Sequence, residues 1–218
     1  LTKILVGIDY SITSPAITIL KNGEYTFAVF PRENSVTDKL REELRKSNVN
    51  IINVPETAQL PKKSIITLTE RRALSDAVQQ IKHLTGFLAS HLEPGDELAV
   101  AIEGLSFAST SSRLSQISGY QWLLRYELLK LGLDINHLWI FAPNNVKSTA
   151  GKGNFSKEEM IAGFISATDL KLSTHQLHIN LNQISEVFQS KGGKWLKPID
   201  DICDAYWIVK TLEKNLNP

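Results

Sequence analysis

Four acidic residues stand where an acid needs a reason. Asp9 closes the apolar run Lys3–Asp9 and is followed by Tyr10-Ser11, and Glu103 closes a second run, ELAVAIE, at Glu97–Glu103. Asp201 and Asp204 lie at i and i+3 of a helical segment, on one face near its N-terminal end. Singly, each has a bland reading: a strand-end acid caps the next turn, and Asp200 is read as the N-cap of the last helix. As a set they point elsewhere. Strand ends of one sheet and the start of a helix packed on it can bring carboxylates to a common point. Their repulsion in a low dielectric is worth kcal/mol amounts, and a divalent cation relieves it. Oxygen-only ligands suit Mg²⁺ or Mn²⁺ rather than Zn²⁺. Two such ions about 3.5–4 Å apart activate a water and stabilise the leaving oxygen of a phosphodiester.

Basic residues fall in two runs. Pro143 to Lys157 holds Lys147, Lys152 and Lys157 and no acid, and Gln189 to Lys197 holds Lys191, Lys194 and Lys197 with Trp195 among them. Either run reads as a solvated face or as a contact with phosphates, which Gly151-Lys152-Gly153 would approach through bare backbone. The second run reads equally as a DNA-touching loop or an exposed hairpin. Phe107, just beyond Glu103, is a core aromatic or a ring that stacks on an opened base. Gly119 costs its helix about 1 kcal/mol relative to Ala and is read as a point of close packing for a helix or a DNA backbone. His175 and His178 have no cysteine or acid beside them to complete a metal site. No Gly-x-Ser-x-Gly elbow supports an acyl-transfer triad, and no Walker loop supports a nucleotide cofactor.

The elements that must position these groups follow from periodicity. Lys3–Asp9 reads as a buried strand, and Ala16–Leu20 and Tyr25–Phe30 as two more, joined by a hairpin at Asn22-Gly23. A short helix at Thr37–Lys46 and a strand at Val49–Val54 are weak expectations. Thr67-Leu68-Thr69-Glu70 fits a capping box that opens a long amphipathic helix to about His91. Glu97–Glu103 is a central strand, followed by a helix from about Ser112 to Leu131 and a strand at His137–Ala142. A Gly/Lys loop leads to a second capping box, Ser156 to Glu159. The last helix is expected over about Asp201–Lys214. A three-strand meander followed by βαβ crossovers gives an α/β fold: a mixed five-stranded sheet with helices on both faces.

Composition excludes several classes. The 218 residues are 42% hydrophobic and 22% charged, which suits a globular domain rather than a disordered tail, a collagen-like repeat or a disulfide scaffold. Cys203 is the single cysteine, so no internal bridge forms and a reducing, cytoplasmic setting is expected. No apolar run is long enough to span a bilayer, and the first ten residues do not read as a secretory signal, so no membrane association is expected. The net charge of +1 neither requires nor forbids a nucleic-acid partner.

Four segments carry a resemblance. Gly7-Ile8-Asp9-Tyr10-Ser11 through Ala16 resembles the opening of the RuvC-like Holliday junction resolvases, particularly their phage-type branch. Ala101-Ile102-Glu103-Gly104-Leu105-Ser106-Phe107 is similar to that branch's second motif. Pro143-Asn-Asn-Val-Lys147, Gly151-Lys-Gly153 and Lys157 resemble its Pro-x-x-x-Lys, Gly-x-Gly, Lys segment, and Asp201-Ile-Cys-Asp204-Ala205 its terminal Asp-x-x-Asp-Ala pattern. Tyr10 and Pro15-Ala16 depart from the pattern, and some members carry His where this chain has Asp201.

The resemblance implies an RNase H-like fold over residues 1–218, with insertions at about 32–65 and 168–198, in a homodimer that cuts four-way DNA junctions. It implies that Asp9, Glu103, Asp201 and Asp204 hold Mg²⁺, with Mn²⁺ substituting and two ions per site, and that Lys147 and Lys157 lie near the scissile phosphate. Water would attack in line, leaving a 5′-phosphate and a 3′-hydroxyl. Phe107, Lys152, Lys191, Lys194, Trp195 and Lys197 are the further DNA-contact candidates, and a phage or phage-derived source goes with the branch. The competing expectations are a nuclease for flaps, branched replication intermediates or RNA–DNA hybrids, a non-catalytic junction-binding protein, and a sugar-kinase or actin-like ATPase. The last lacks its second phosphate loop here.

Overall fold

Asn22 and Gly23 adopt φ of 55° and 80°, the left-handed pair that a two-residue turn between twisted strands requires. The turn joins β2 (Ala16–Lys21) to β3 (Glu24–Val29), and β2 returns along β1 (Lys3–Asp9), so the expected antiparallel meander is present. The computed structural model describes residues 2–33, 35–57, 65–105, 112–172 and 197–217. Residues 32–57 add α1 (Asp38–Lys46) and β4 (Val49–Ile51), and β4 lies parallel to β3. Beyond them come α2 (Ile66–Ala89), β5 (Glu97–Glu103), α3 (Ser112–Lys130), a 3-10 turn at Ile135–His137, and β6 (Leu138–Phe141). The chain continues through α4 (Pro143–Ala150), α5 (Lys157–Leu172) and α6 (Ile199–Leu216).

The sheet has six strands rather than five, in the order β4-β3-β2-β1-β5-β6. The extra strand is short because only Val49–Ile51 pairs fully with β3; Val54 makes a single bridge to Arg32. β1, β5 and β6 run parallel, so their C-terminal ends share one edge of the sheet.

Two apolar layers hold this sheet. Ile4, Val6 and Ile8 face Ala77, Ile81, Leu84 and Leu88 of α2 and Leu124 and Leu128 of α3. Leu5, Ala99 and Ala101 face the other side, where Val146, Ile161, Phe164, Ile202, Ala205 and Val209 pack. Side chains alternate along a strand, so Asp9 follows Leu5 and Gly7 to the α6 face, and Glu103 follows Ala99 and Ala101 there.

Gly7 brings α6 in. A Cβ at Gly7 would stand 2.4 Å from the Ala205 carbonyl oxygen and 2.7 Å from the Val209 nitrogen, so only glycine lets the helix lie this close to β1. Close packing of α6 on β1 places the helix's first turn over the sheet edge where Asp9 ends.

Two local readings change and one holds. α2 opens at Ile66 behind an extended Ile65 with no side-chain cap, so Thr67 lies inside the first turn and the Thr67–Glu70 box does not form. The Ser156–Glu159 box does form: Glu159 N donates to Ser156 Oγ at 3.2 Å and Ser156 N to Glu159 Oε2 at 2.7 Å. The expected loop after β6 is α4, opened by Pro143 at a first-turn position where a missing N–H costs nothing.

Candidate active site

Four carboxylates converge at the edge where the parallel strands end. Ile8 and Ile102 are in register across β1 and β5, so Asp9 and Glu103 leave adjacent strands side by side. Gln121 of α3, buried, steadies the second: its Nε2 donates to the Glu103 carbonyl oxygen at 3.1 Å. Asp201 and Asp204 come from the first turns of α6, where the helix dipole favours negative charge.

Their charges act on one another. Burial first, and then the charges of Asp201, Asp204 and Glu103, hold Asp9 well above the usual carboxylate range, with Lys197 opposing. Burial and then Glu103 push Asp204 up to about 7, against the pull of Lys157. Asp201 is pushed up to about 6 by burial and by Asp200, with Lys197 and Lys157 pulling the other way. Burial raises Glu103, and the charge of Lys147 of α4 offsets part of that rise.

Among the described residues, no three acidic, histidine or cysteine side chains already stand at ligating distance of one ion. The donors nonetheless fit a divalent cation in charge and chemistry. They are all oxygens, they repel one another, and Asp201 Oδ2 is buried with no hydrogen-bond partner. Part of the cation's charge is supplied by the protein itself, since Lys197 Nζ donates to Asp201 Oδ1 at 2.8 Å.

Several expected roles are corrected. Asp200 is not the N-cap: Pro198 holds that position, and Asp200 is a buried second residue of α6 that accepts from Lys157 Nζ. Lys157 is thus held in an ion pair with Asp200. Lys197, expected on a DNA-contact loop, is drawn onto Asp201. The Gly/Lys stretch is not bare backbone at its start, because the Phe155 ring covers Gly151, within 2.1 Å of where a Cβ would be. Lys152 is exposed. A Cβ at Gly119 would meet nothing within 4 Å among the described residues, so the glycine is not required there by close packing on a described helix. Phe107, Lys191, Lys194, Trp195, His175 and His178 lie outside the described residues.

Sequence reasoning missed Asp200 and Gln121 as parts of the site. No local signal marks Gln121, whereas the Lys197–Asp201 contact has a legible i,i+4 spacing.

No protein-family model matches the sequence, and no curated protein does. Solved structures do. Thermus thermophilus RuvC aligns over 98% of this chain and 95% of its own at TM-score 0.50 and 15% identity. The same organism's RuvC in complex with a Holliday junction substrate aligns over 99% and 95% at TM-score 0.52 and 13% identity. The fold is RNase H-like. A looser likeness, at TM-score 0.35, links the chain to the yeast mitochondrial Holliday junction resolvase Ydc2, and nothing is rested on it. On this RuvC-like fold, the acidic edge lies at the C-terminal ends of parallel strands, the usual place for a ligand in an open α/β sheet.

Proposed function

We propose that this protein is a metal-dependent endodeoxyribonuclease that resolves four-way DNA junctions by paired phosphodiester hydrolysis. One observation carries the reading: at one sheet edge Asp9 feels the charges of Asp201, Asp204 and Glu103, and Asp204 those of Glu103 and Asp201, four carboxylates from three separate elements. The solved neighbour bound to a Holliday junction supports the choice of substrate.

In this reading the four carboxylates hold Mg²⁺ or Mn²⁺, two ions per site, which when bound supply charge for the attacking and leaving oxygens of a phosphodiester. The chain's own residues do the rest. Gln121 fixes the Glu103 main chain, Gly7 sets the height of α6 over Asp9, and Lys147 brings positive charge beside Glu103 to meet a phosphate oxygen. Lys197 neutralises part of the Asp201 charge and would give way there to a bound divalent cation.

Paired nicks need two sites, which a homodimer provides. The surface that suits a second copy is on α3, where Ser115, Gly119, Trp122, Tyr126 and Leu129 are exposed at alternating four- and three-residue spacing. The five side chains are uncharged, while the Arg125 guanidinium lies over the Trp122 ring and the Lys130 ammonium over the Tyr126 ring. The stripe's two aromatics, 66% and 60% exposed, supply part of the roughly 800 Å² per partner in a standard interface. Laid antiparallel on its copy, the small half of the stripe would face the bulky half.

The test compares a labelled four-way junction with linear duplex, a flap and an RNA–DNA hybrid, in Mg²⁺, Mn²⁺ or EDTA. Metal-dependent cutting with the junction preferred is expected. Equal cutting of all substrates would remove the resolvase reading and keep the nuclease, and binding without cutting would leave a junction-binding protein.

A further inference from the structure

We infer that Asp200 is a positioning residue for Lys157, holding its ammonium at the rim of the carboxylate edge. The inference rests on the proposed function only for what Lys157 then does to a phosphate.

Asp200 is a fifth carboxylate outside the Asp-x-x-Asp pattern, and two facts mark it. It is 5% exposed, and its Oδ1 is buried with no hydrogen-bond partner while Oδ2 takes the Lys157 ammonium. A carboxylate taken out of water at this depth is costly unless a cation is supplied to it. No helix-capping role accounts for it, since the cap belongs to Pro198. Its neighbour Asp201 has its own lysine, Lys197, so each of the two adjacent aspartates is matched to a different cation.

Lys157 is anchored from both ends. Its backbone opens α5 within the reciprocal Ser156–Glu159 bonds. α5 is itself tied to α6, where Trp207 Nε1 donates to the Met160 carbonyl oxygen at 3.0 Å and the Phe164 and Tyr206 rings lie 5.2 Å apart. The side chain between these anchors is half exposed. An ammonium has three N–H donors, so an ion pair with one carboxylate oxygen leaves donors for phosphate oxygens. Asp200 therefore fixes where Lys157 waits without using up its capacity to bind an anion.

The test reads Lys157 directly, with or without nuclease activity. In the metal-free wild type, reductive methylation followed by peptide mass spectrometry should label Lys157 at least several-fold more slowly than exposed Lys152. Asp200→Asn should speed Lys157 labelling several-fold and leave Lys152 unchanged, and Asp200→Glu should restore most of the protection. In junction cleavage, Asp200→Asn should lower kcat about tenfold at unchanged junction Kd and add no further loss to Lys157→Ala. Equal labelling of Lys157 and Lys152 in the wild type overturns the inference even if no variant folds. So do additive losses in the double variant. A wild type that protects Lys157 yet cuts no junction upholds the pairing and rejects the resolvase.

Discussion

The Val209 nitrogen lies 2.7 Å from the point a Cβ would occupy on Gly7, so one missing methyl group sets the distance between the first strand and the last helix. Asp9 stands two residues after Gly7, and Asp201 and Asp204 lie within two turns before Val209. The spacing between the acidic elements is therefore a packing property, set in the layer beneath them.

Replacing Gly7 with Ala should destabilise the protein by about 3 kcal/mol or more, because backbone atoms of α6 leave no flexible neighbour to yield. Urea unfolding checks it. A loss below about 1 kcal/mol would mean that α6 shifts freely on β1.

Asp9→Asn and Asp204→Asn should each reduce junction cleavage at least a hundredfold while junction binding in EDTA persists. Lys147→Ala should slow cleavage more than it weakens binding. Single-turnover rates and fluorescence anisotropy separate the two effects, and a fall in affinity alone would deny Lys147 a place beside the reacting phosphate.

Acidity should favour the metal-free fold. Asp201 and Asp204 release their protons at about 6 and about 7 in the native protein, against about 3.8 for an ordinary aspartate. The native state binds more protons than the unfolded chain between about pH 4 and pH 7. The stability these groups contribute is full below that window and is lost as the pH rises through it. Melting in EDTA should show a loss on the order of a few kcal/mol between pH 5 and pH 8. Mg²⁺ should recover it at pH 8, and Asp204→Asn should flatten the profile. A melting temperature that rises across this range contradicts the buried cluster.

Lys197→Met should tighten Mn²⁺ binding several-fold in calorimetric titration, because it removes the charge that competes for Asp201. Weaker binding would make Lys197 a partner of the ion rather than its rival.

Trp122→Asp should shift sedimentation from dimer to monomer and leave the far-ultraviolet circular dichroism unchanged. An unaltered sedimentation coefficient would move the self-contact away from α3.

Much of this arrangement was legible in the chain. Asn22-Gly23 and the apolar runs Lys3–Asp9 and Glu97–Glu103 gave the sheet centre, because each signal is local. Parity along those strands also places Asp9 and Glu103 on the same face. The sixth strand was harder to read: β4 has three residues and exists only because β3 offers an edge. Asp200 misled for a related reason. An aspartate after a proline looks like a cap, and the group that decides otherwise, Lys157, is 43 residues away. The Thr67–Glu70 box failed because the helix began two residues earlier than the motif implied.

The parallel register of β1 and β5 and the seating of α6 on β1 have a consequence for synthesis. A ribosome that has finished β5 has already made Asp9 and Glu103, yet the pair has no helix above it and half its acidic complement is still unmade. If the chain is the proposed nuclease, nascent and truncated forms that lack α6 hold only half of the carboxylates of the site, which is completed when α6 docks on β1.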